Sequence, residues 1–314
     1  MKRAIILTDG KAGHENQSKA FARALDCEAQ IIRVDFRSRL AKMFSYVLSH
    51  LGIYTLSLLR LHETIEQSSF QSVGLAIGTG SGTFYAVKAL AKKLKVKCAV
   101  VLTPSGYDLS SFDCILSPQF DNAPEKANIV KIPVNLVAND KAFYDAGVSD
   151  FKKRYDSHDS KHGTKAVAFV IGGPNKCSTM TAEWMRERLE EAFAATPGCE
   201  HWVTTSRRTP PEVEAVVDSF PFDYKLIYSR DHFNPIPAFV MLADRLYVTA
   251  ESTGMISEAC SFGNAEVFVF DNLNPGPHKF RRFVESLQHD GYIGSRRKVD
   301  LSSQFSRAKQ LLGM

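Results

Sequence analysis

Four short stretches gather side chains able to move a proton or hold an anion. The first, Asp9-Gly10-Lys11-Ala12-Gly13-His14-Glu15-Asn16-Gln17, follows the apolar run Ala4–Thr8. It offers three proton carriers, Asp9, His14 and Glu15, beside a cation at Lys11. Helix capping by Asn16 or Gln17 is the plainer use of the same residues. The second, Gly172-Gly173-Pro174-Asn175-Lys176, ends another apolar run and precedes a helical pattern. Two glycines permit close backbone approach, and Lys176 with helix amides would suit a phosphate. The third, Ser206-Arg207-Arg208, adds two cations, and guanidinium groups match phosphate oxygens. The fourth, Glu251-Ser252-Thr253-Gly254-Met255, opens a helix. There the hydroxyls of Ser252 and Thr253 and the free N–H groups are expected to point outward, making a donor-rich pocket for a diphosphate. Glu258 follows a turn or two later, where its carboxylate could take ribose hydroxyls, with Met255 on the base side.

Several common chemistries fail on spacing. Gly78-Thr79-Gly80-Ser81-Gly82-Thr83 puts Thr83 where a dinucleotide fingerprint needs its third Gly, and the next strand ends without an acid for a ribose. Neither Gly10-Lys11-Ala12-Gly13 nor Gly173-Pro174-Asn175-Lys176 is a Walker loop. Ala250-Glu251-Ser252-Thr253-Gly254 resembles a nucleophile elbow with Ala for the first Gly, and Asp271 and His278 follow in hydrolase order. A serine hydrolase using Ser252 therefore stays an alternative, against which the two-domain layout counts. The six cysteines have neither CxxC spacing nor a following His at a metal-site interval, so no structural zinc and a reducing compartment are expected.

These stretches need elements to hold them. The recurring pattern is strand, glycine-containing turn, helix: Ala4–Thr8, then a helix from about Gln17 to Leu25; Gln30–Asp35; Val73–Ile77, then a helix from Phe84; Cys98–Leu102, Cys114–Leu116 and Ile129–Ile132. Residues 137–164 lose it, reading as a polar linker. It restarts with Ala166–Ile171 and runs through Trp202–Thr205, Lys225–Tyr228, Arg245–Thr249 and Val267–Phe270. The fold class is α/β, with two doubly wound parallel-sheet halves. The domains are 1–150, 163–300, and a helix over 301–314 that can pack back on the first. Ligands bind outside the carboxyl ends of such strands, and two sheets facing each other would leave a central cleft.

The 314 residues carry 39 Lys/Arg against 34 Asp/Glu, unevenly placed. Residues 1–97 hold 15 of the basic residues against 7 acidic ones, which suggests an anionic partner. From Leu40 to Leu61 the chain is largely apolar at helical spacing, edged by Arg37, Arg39, Lys42 and Arg60. Lys42, His50 and several hydroxyls argue against a spanning helix. Two readings stand: core helices broken near Gly52, or an interfacial helix giving residues 37–61 peripheral contact with an anionic membrane. The apolar run at the N-terminus is too brief for a signal peptide, which favours a cytoplasmic location, on the inner face of the membrane in the interfacial reading.

The block Asp9–Ser18 resembles the opening of the "elongated mitochondria" family, which includes a plant mitochondrial fission factor and bacterial relatives assigned as glycosyltransferases. The likeness continues in Gly172-Gly173-Pro174, in Thr204–Pro210 and in Thr249–Ala259. It implies the GT-B arrangement of two Rossmann-like domains, with a nucleotide-sugar donor on the C-terminal domain and the acceptor on the N-terminal one. It places Gly173, Ser206, Arg207, Ser252 and Glu258 around the donor and makes Asp9 or His14 the base, with Lys11, Gly80 and Ser81 expected on the acceptor side. Helix dipoles and basic side chains would stabilise the leaving diphosphate without a metal or other cofactor. The expected activity is inverting transfer of a sugar to a hydroxyl of an anionic glycolipid or polysaccharide, of lipopolysaccharide type, with no nucleic-acid partner. A non-catalytic membrane-associated scaffold and an epimerase on the same fold are the alternatives. The chain departs from the family at Pro118-Gln119-Phe120-Asp121, which lacks an expected His, and at Glu251, where Asp is expected.

Overall fold

Alternation along the first strand already dictates a sheet buried on both faces. In β1 (Lys2–Thr8), Ile5 and Leu7 point to one hydrophobic core and Ala4 and Ile6 to another. The computed structural model describes residues 2–62, 73–155 and 164–314. The chain divides into two units, residues 1–138 with 300–314, and residues 139–299.

Unit 1 continues through α1 (Ala12–Ala24), β2 (Cys27–Phe36), α2 (Arg39–His50), β3 (Leu59–Leu61), β4 (Val73–Thr79), α3 (Phe84–Leu94), β5 (Lys97–Val101), β6 (Cys114–Pro118) and β7 (Ile129–Ile132). The strand order is β3-β2-β1-β4-β5-β6-β7. All neighbours are parallel except the edge strand β3, which is antiparallel to β2. Helix α3 covers one face of the sheet with Val87, Leu90 and Ala91. Helix α1 covers the other with Phe21 and Ala22, joined there by Ala308 and Leu312 of the last helix. The strand order reverses between β1 and β4, so their adjacent carboxyl ends form the switch point where ligands bind in such sheets.

Unit 2 holds α4 (Lys141–Tyr155), β8 (Ala166–Val170), α5 (Ala182–Ala194), β9 (Glu200–Thr204), α6 (Pro211–Ser219) and β10 (Tyr224–Leu226). It continues with α7 (Ile236–Leu242), β11 (Arg245–Thr249), α8 (Thr253–Ser261), β12 (Glu266–Phe270) and α9 (Lys279–His289). Its all-parallel sheet runs β10-β9-β8-β11-β12, with the switch point between β8 and β11. One face packs Phe169 and Val203 against Met185 and Leu189 of α5 and Val213 and Val217 of α6. On the other face, Trp202 meets Phe151 of α4 at 5.3 Å and Phe239 of α7 at 5.8 Å between ring centres. The final helix, α10 (Ser302–Leu312), returns to unit 1.

The structure corrects several sequence expectations. Residues 137–164 are not all linker: α4 fills most of this segment and belongs to unit 2, so the boundary falls after Ala138 rather than at 150. The remainder, 156–163, lies outside the described residues. Helix α1 begins at Ala12, not near Gln17, because the backbone can turn directly after Lys11. Helix α2 stops at His50, and Gly52 turns at φ +68°. Tyr54, Leu58 and Leu61, expected on the helical stripe, lie instead in a loop, a short 3-10 turn and β3. No disulfide joins the cysteines among the described residues, and Cys98 and Cys260 are core residues. Burial pushes the Cys98 thiol up to about 11 and that of Cys260 to about 12.

Candidate functional site

In unit 1, the loops after β1 and β4 meet at the switch point. The Asp9 carboxylate lies 3.1 Å from His14 Nδ1 through either oxygen, and Lys11 Nζ lies 3.3 Å away. A carboxylate only accepts, so the contact calls for a hydrogen on His14 Nδ1, and in the neutral tautomer that carries it there Nε2 is the acceptor. This pair rests directly on the glycine turn after β4. A Cβ on Gly80, whose φ is +84°, would collide with the His14 ring, and one on Gly82 would lie 2.8 Å from Asp9 Cβ. Ser18 and Thr79 share a hydroxyl hydrogen bond of 2.7 Å that fixes α1 against the end of β4. Ser81 accepts from Lys42 Nζ at 3.1 Å. Glu15 is not part of this pair. It sits in the first turn of α1 and bonds Lys19 at 2.7 Å.

In unit 2 the organising residue is one to which the sequence reading assigned no role in the site. Glu251, buried after β11, accepts three hydrogen bonds on Oε1: from the Gly173 amide (2.9 Å), the Thr249 hydroxyl (3.0 Å) and the Ser252 hydroxyl (2.7 Å). Its Oε2 is buried without a hydrogen-bond partner among the described residues. Gly172 donates its amide to Thr249 Oγ1 at 2.9 Å. A Cβ at Gly172 would overlap Glu251 Oε1 and Ser252 Oγ, and one at Gly173 would overlap the Arg208 carbonyl. Thr209 closes the group: it receives the Ser206 amide at 2.8 Å and donates to the Gly172 carbonyl at 2.5 Å. The turns after β8, β9 and β11 are thus one hydrogen-bonded cluster.

Three expectations for this cluster change. The Ser252 hydroxyl does not cap α8 but turns back to Glu251, so the first-turn amides of α8 have no cap from that side chain. Helix α5 starts only at Ala182, capped by Thr181, so Gly172 and Gly173 do not sit at a helix N-terminus. The hydrolase alternative loses its base: His278 Nδ1 accepts the Arg281 amide and caps α9, while Nε2 lies 3.2 Å from the Asn274 carbonyl. Thr253 and Met255 are half-buried, and Gly254 is exposed at the open first turn. Arg207 and Lys176 are exposed and make no ion pair among the described residues.

Glu258, one turn into α8, is met by α4. Its Oε1 accepts from the Tyr144 hydroxyl at 2.9 Å and lies 3.4 Å from Asn139 Nδ2. Burial raises the Glu258 carboxyl above the ordinary range, and these two hydrogen bonds oppose that rise. Asn139 and Tyr144 were missed because they lie in the segment whose polarity suggested a linker. Among the described residues, no three His, Cys, Asp or Glu side chains group closely enough to hold a metal ion.

Two Rossmann-like α/β units, each with a polar loop cluster at its switch point, define a protein of the GT-B fold class. The family model for mitochondrial fission ELM1 matches residues 12–308, and the chain belongs to that family. No curated protein sequence matches it. Among solved structures, it is similar to a protein from Listeria monocytogenes assigned as a UDP-N-acetylglucosamine 2-epimerase, at 12% identity and a TM-score of 0.51, covering 99% of this chain and 88% of that one. It is also similar to the UDP-GlcNAc 2-epimerase of Methanocaldococcus jannaschii at 14% identity and 0.50, covering 100% and 93%. At such identities the likeness is one of fold.

Proposed function

We propose that the protein is a glycosyltransferase that takes a sugar from a nucleotide-sugar donor bound by unit 2. The observation that carries this reading is the open first turn of α8, held beside the Gly172-Gly173 turn by Glu251 at the switch point of the sheet. Amide donors and the positive end of a helix favour a diphosphate there, and Arg207, which has no ion pair among the described residues, adds a cation from the neighbouring turn. Ser206 and Lys176 border the same turns, and the second oxygen of Glu258 is the natural acceptor for a ribose hydroxyl. Glu251 is a positioning residue whose carboxylate stays under the loop.

Unit 1 supplies the base. With its Nδ1–H directed to Asp9, His14 Nε2 takes the proton of an acceptor hydroxyl. The freed oxygen attacks the anomeric carbon, its bond to the diphosphate breaks, and the configuration inverts. The departing charge is stabilised by α8 amides and Arg207, so the step does not call for a metal. The acceptor proposed is a hydroxyl of an anionic glycolipid or polysaccharide, with Lys11 and Ser81 beside the base.

The test is a thermal-shift titration with UDP, GDP, CMP and ADP on the wild type, Arg207→Ala and Ser252→Ala. A ligand at 100 times its Kd stabilises by about 2.7 kcal/mol. Stabilisation by one nucleotide, lost in Arg207→Ala, supports the donor site. Absence of any shift at millimolar nucleotide overturns the reading in favour of a non-catalytic scaffold. Incubation with the matching nucleotide-sugar alone then separates the activities, since an epimerase changes the sugar without an acceptor.

A further inference from the structure

Helix α2 is built inside out. The side chains it buries against unit 1 are small: Ala41, Ser45 and Ser49. Ser45 bonds the Tyr107 hydroxyl at 2.9 Å, and Ser49 the Tyr54 hydroxyl at 3.2 Å. Tyr46 and Leu48 pack partly against the unit 1 core, but the remaining large apolar side chains of the helix face solvent. Leu40, Met43, Phe44, Val47 and Leu51 are 59–66% exposed, and Ile53 in the following loop is 48% exposed. Positions 40, 44, 47 and 51 follow helical spacing and form one stripe. These are all but one of the large hydrophobic residues exposed among those described, the other being Phe143. Gathered patches of this kind mark interaction sites, whereas scattered exposed residues do not.

Charge identifies the occupant. From Phe36 to His62 the chain has no Asp or Glu, but it has Arg37, Arg39, Lys42 and Arg60. Lys92 of α3 donates to the Gly52 carbonyl at 3.1 Å, adding a cation at the end of the stripe. A second copy docked by two-fold symmetry would set this basic rim against itself with no acidic residue from the segment to answer it. An anionic lipid surface answers both features, taking the apolar stripe below its headgroups and the basic rim among its phosphates. No described helix is long and apolar enough to cross a membrane, so the mode is interfacial.

We propose that α2 and the Gly52–Ile53 loop dock unit 1 on an anionic bilayer by burying the Leu40–Leu51 stripe. Lys42 reaches Ser81, so the docked surface adjoins the turn after β4 on which the Asp9–His14 pair rests. If the proposed function holds, a lipid-borne acceptor would arrive there; the docking itself does not depend on that reading.

Co-sedimentation with phosphatidylcholine vesicles, with and without phosphatidylglycerol, tests this. The wild type should bind the mixed vesicles, less so at raised salt, and bind phosphatidylcholine alone weakly. Phe44→Glu/Val47→Glu should abolish binding while keeping the wild-type melting temperature and nucleotide-induced shift, because both side chains are exposed. Arg39→Gln should weaken binding about fivefold. The proposal is overturned if the wild type ignores anionic vesicles or if Phe44→Glu/Val47→Glu binds undiminished. It is equally overturned if the substitutions instead split a wild-type dimer in light scattering.

Discussion

At the scale of single residues, the two acids after β1 and β11 do different work, and substitution should separate them. Asp9 has His14 as its partner, with half-open access, so His14→Asn should lower turnover about 10²–10⁴-fold while leaving the melting temperature nearly unchanged. Glu15→Gln should change turnover less than twofold, since Glu15 faces Lys19. Equal losses at both positions in a donor-consumption assay would remove His14 from the base role. Glu251 is structural first. Glu251→Ala leaves the Gly173 amide and two hydroxyls without their acceptor, and denaturant unfolding should register a loss of about 1–3 kcal/mol. Residue types and turn chemistry made the placement of Asp9, His14, Gly172 and Ser252 beyond the ends of strands readable from the sequence. The role of Glu251 was not, because its partner Gly173 lies 78 positions away and becomes its neighbour only through the pairing of β8 with β11. The turned-back Ser252 hydroxyl was hidden for the same reason.

At the scale of elements, the glycines of the turns after β8 and β11 allow stability to be told from binding. Gly172→Ala should unfold or misorder the cluster, since its Cβ has no room beside Glu251. Gly254→Ala has open space and a helical position, so it should leave stability equal or slightly higher. If nucleotide phosphates approach the first turn of α8, the same variant weakens the nucleotide-induced thermal shift, and an unchanged shift argues against that approach. The contact of α4 with α8 adds a pH signature. Burial raises Glu258 in the folded protein above its unfolded value, so the folded state holds the proton longer. Its contribution is therefore favourable in acid and is lost as pH rises from the ordinary glutamate range through the raised folded value. Glu258→Gln keeps an acceptor for Tyr144 and should flatten that part of the stability–pH curve, raising the melting temperature at pH 7. A wild-type curve that already rises across this window would contradict the assignment. The sequence showed α8 plainly through its strand-turn-helix context. Helix α4 stayed hidden because its buried residues, Tyr144, Phe151 and Tyr155, are few and sit among charged neighbours that read as linker.

At the scale of the whole molecule, the chain enters unit 2 once and then returns to complete unit 1. The strand-turn-helix repeat made both sheets legible, and the return of the last helix was an expectation from architecture. What the sequence alone could not give is how far unit 1 depends on that return. Ala308 and Leu312 of α10 are buried in the same core as Ile6, Phe21 and Leu116. Removing α10 strips that cover from the β6–β7 side of the sheet and exposes apolar surface that β1 and α1 cannot hide. Leu312→Ala should therefore cost about 2–5 kcal/mol in unit 1, although it is the third residue from the end of the chain. A fragment of residues 139–299 carries its own two-faced core and should unfold cooperatively by circular dichroism. A fragment of residues 1–138 should not, and it should recover a cooperative transition when residues 300–314 are fused to it through a flexible linker. Cooperative folding of 1–138 by itself, or a silent Leu312→Ala, would mean that α10 merely rests on a sheet that is stable without it.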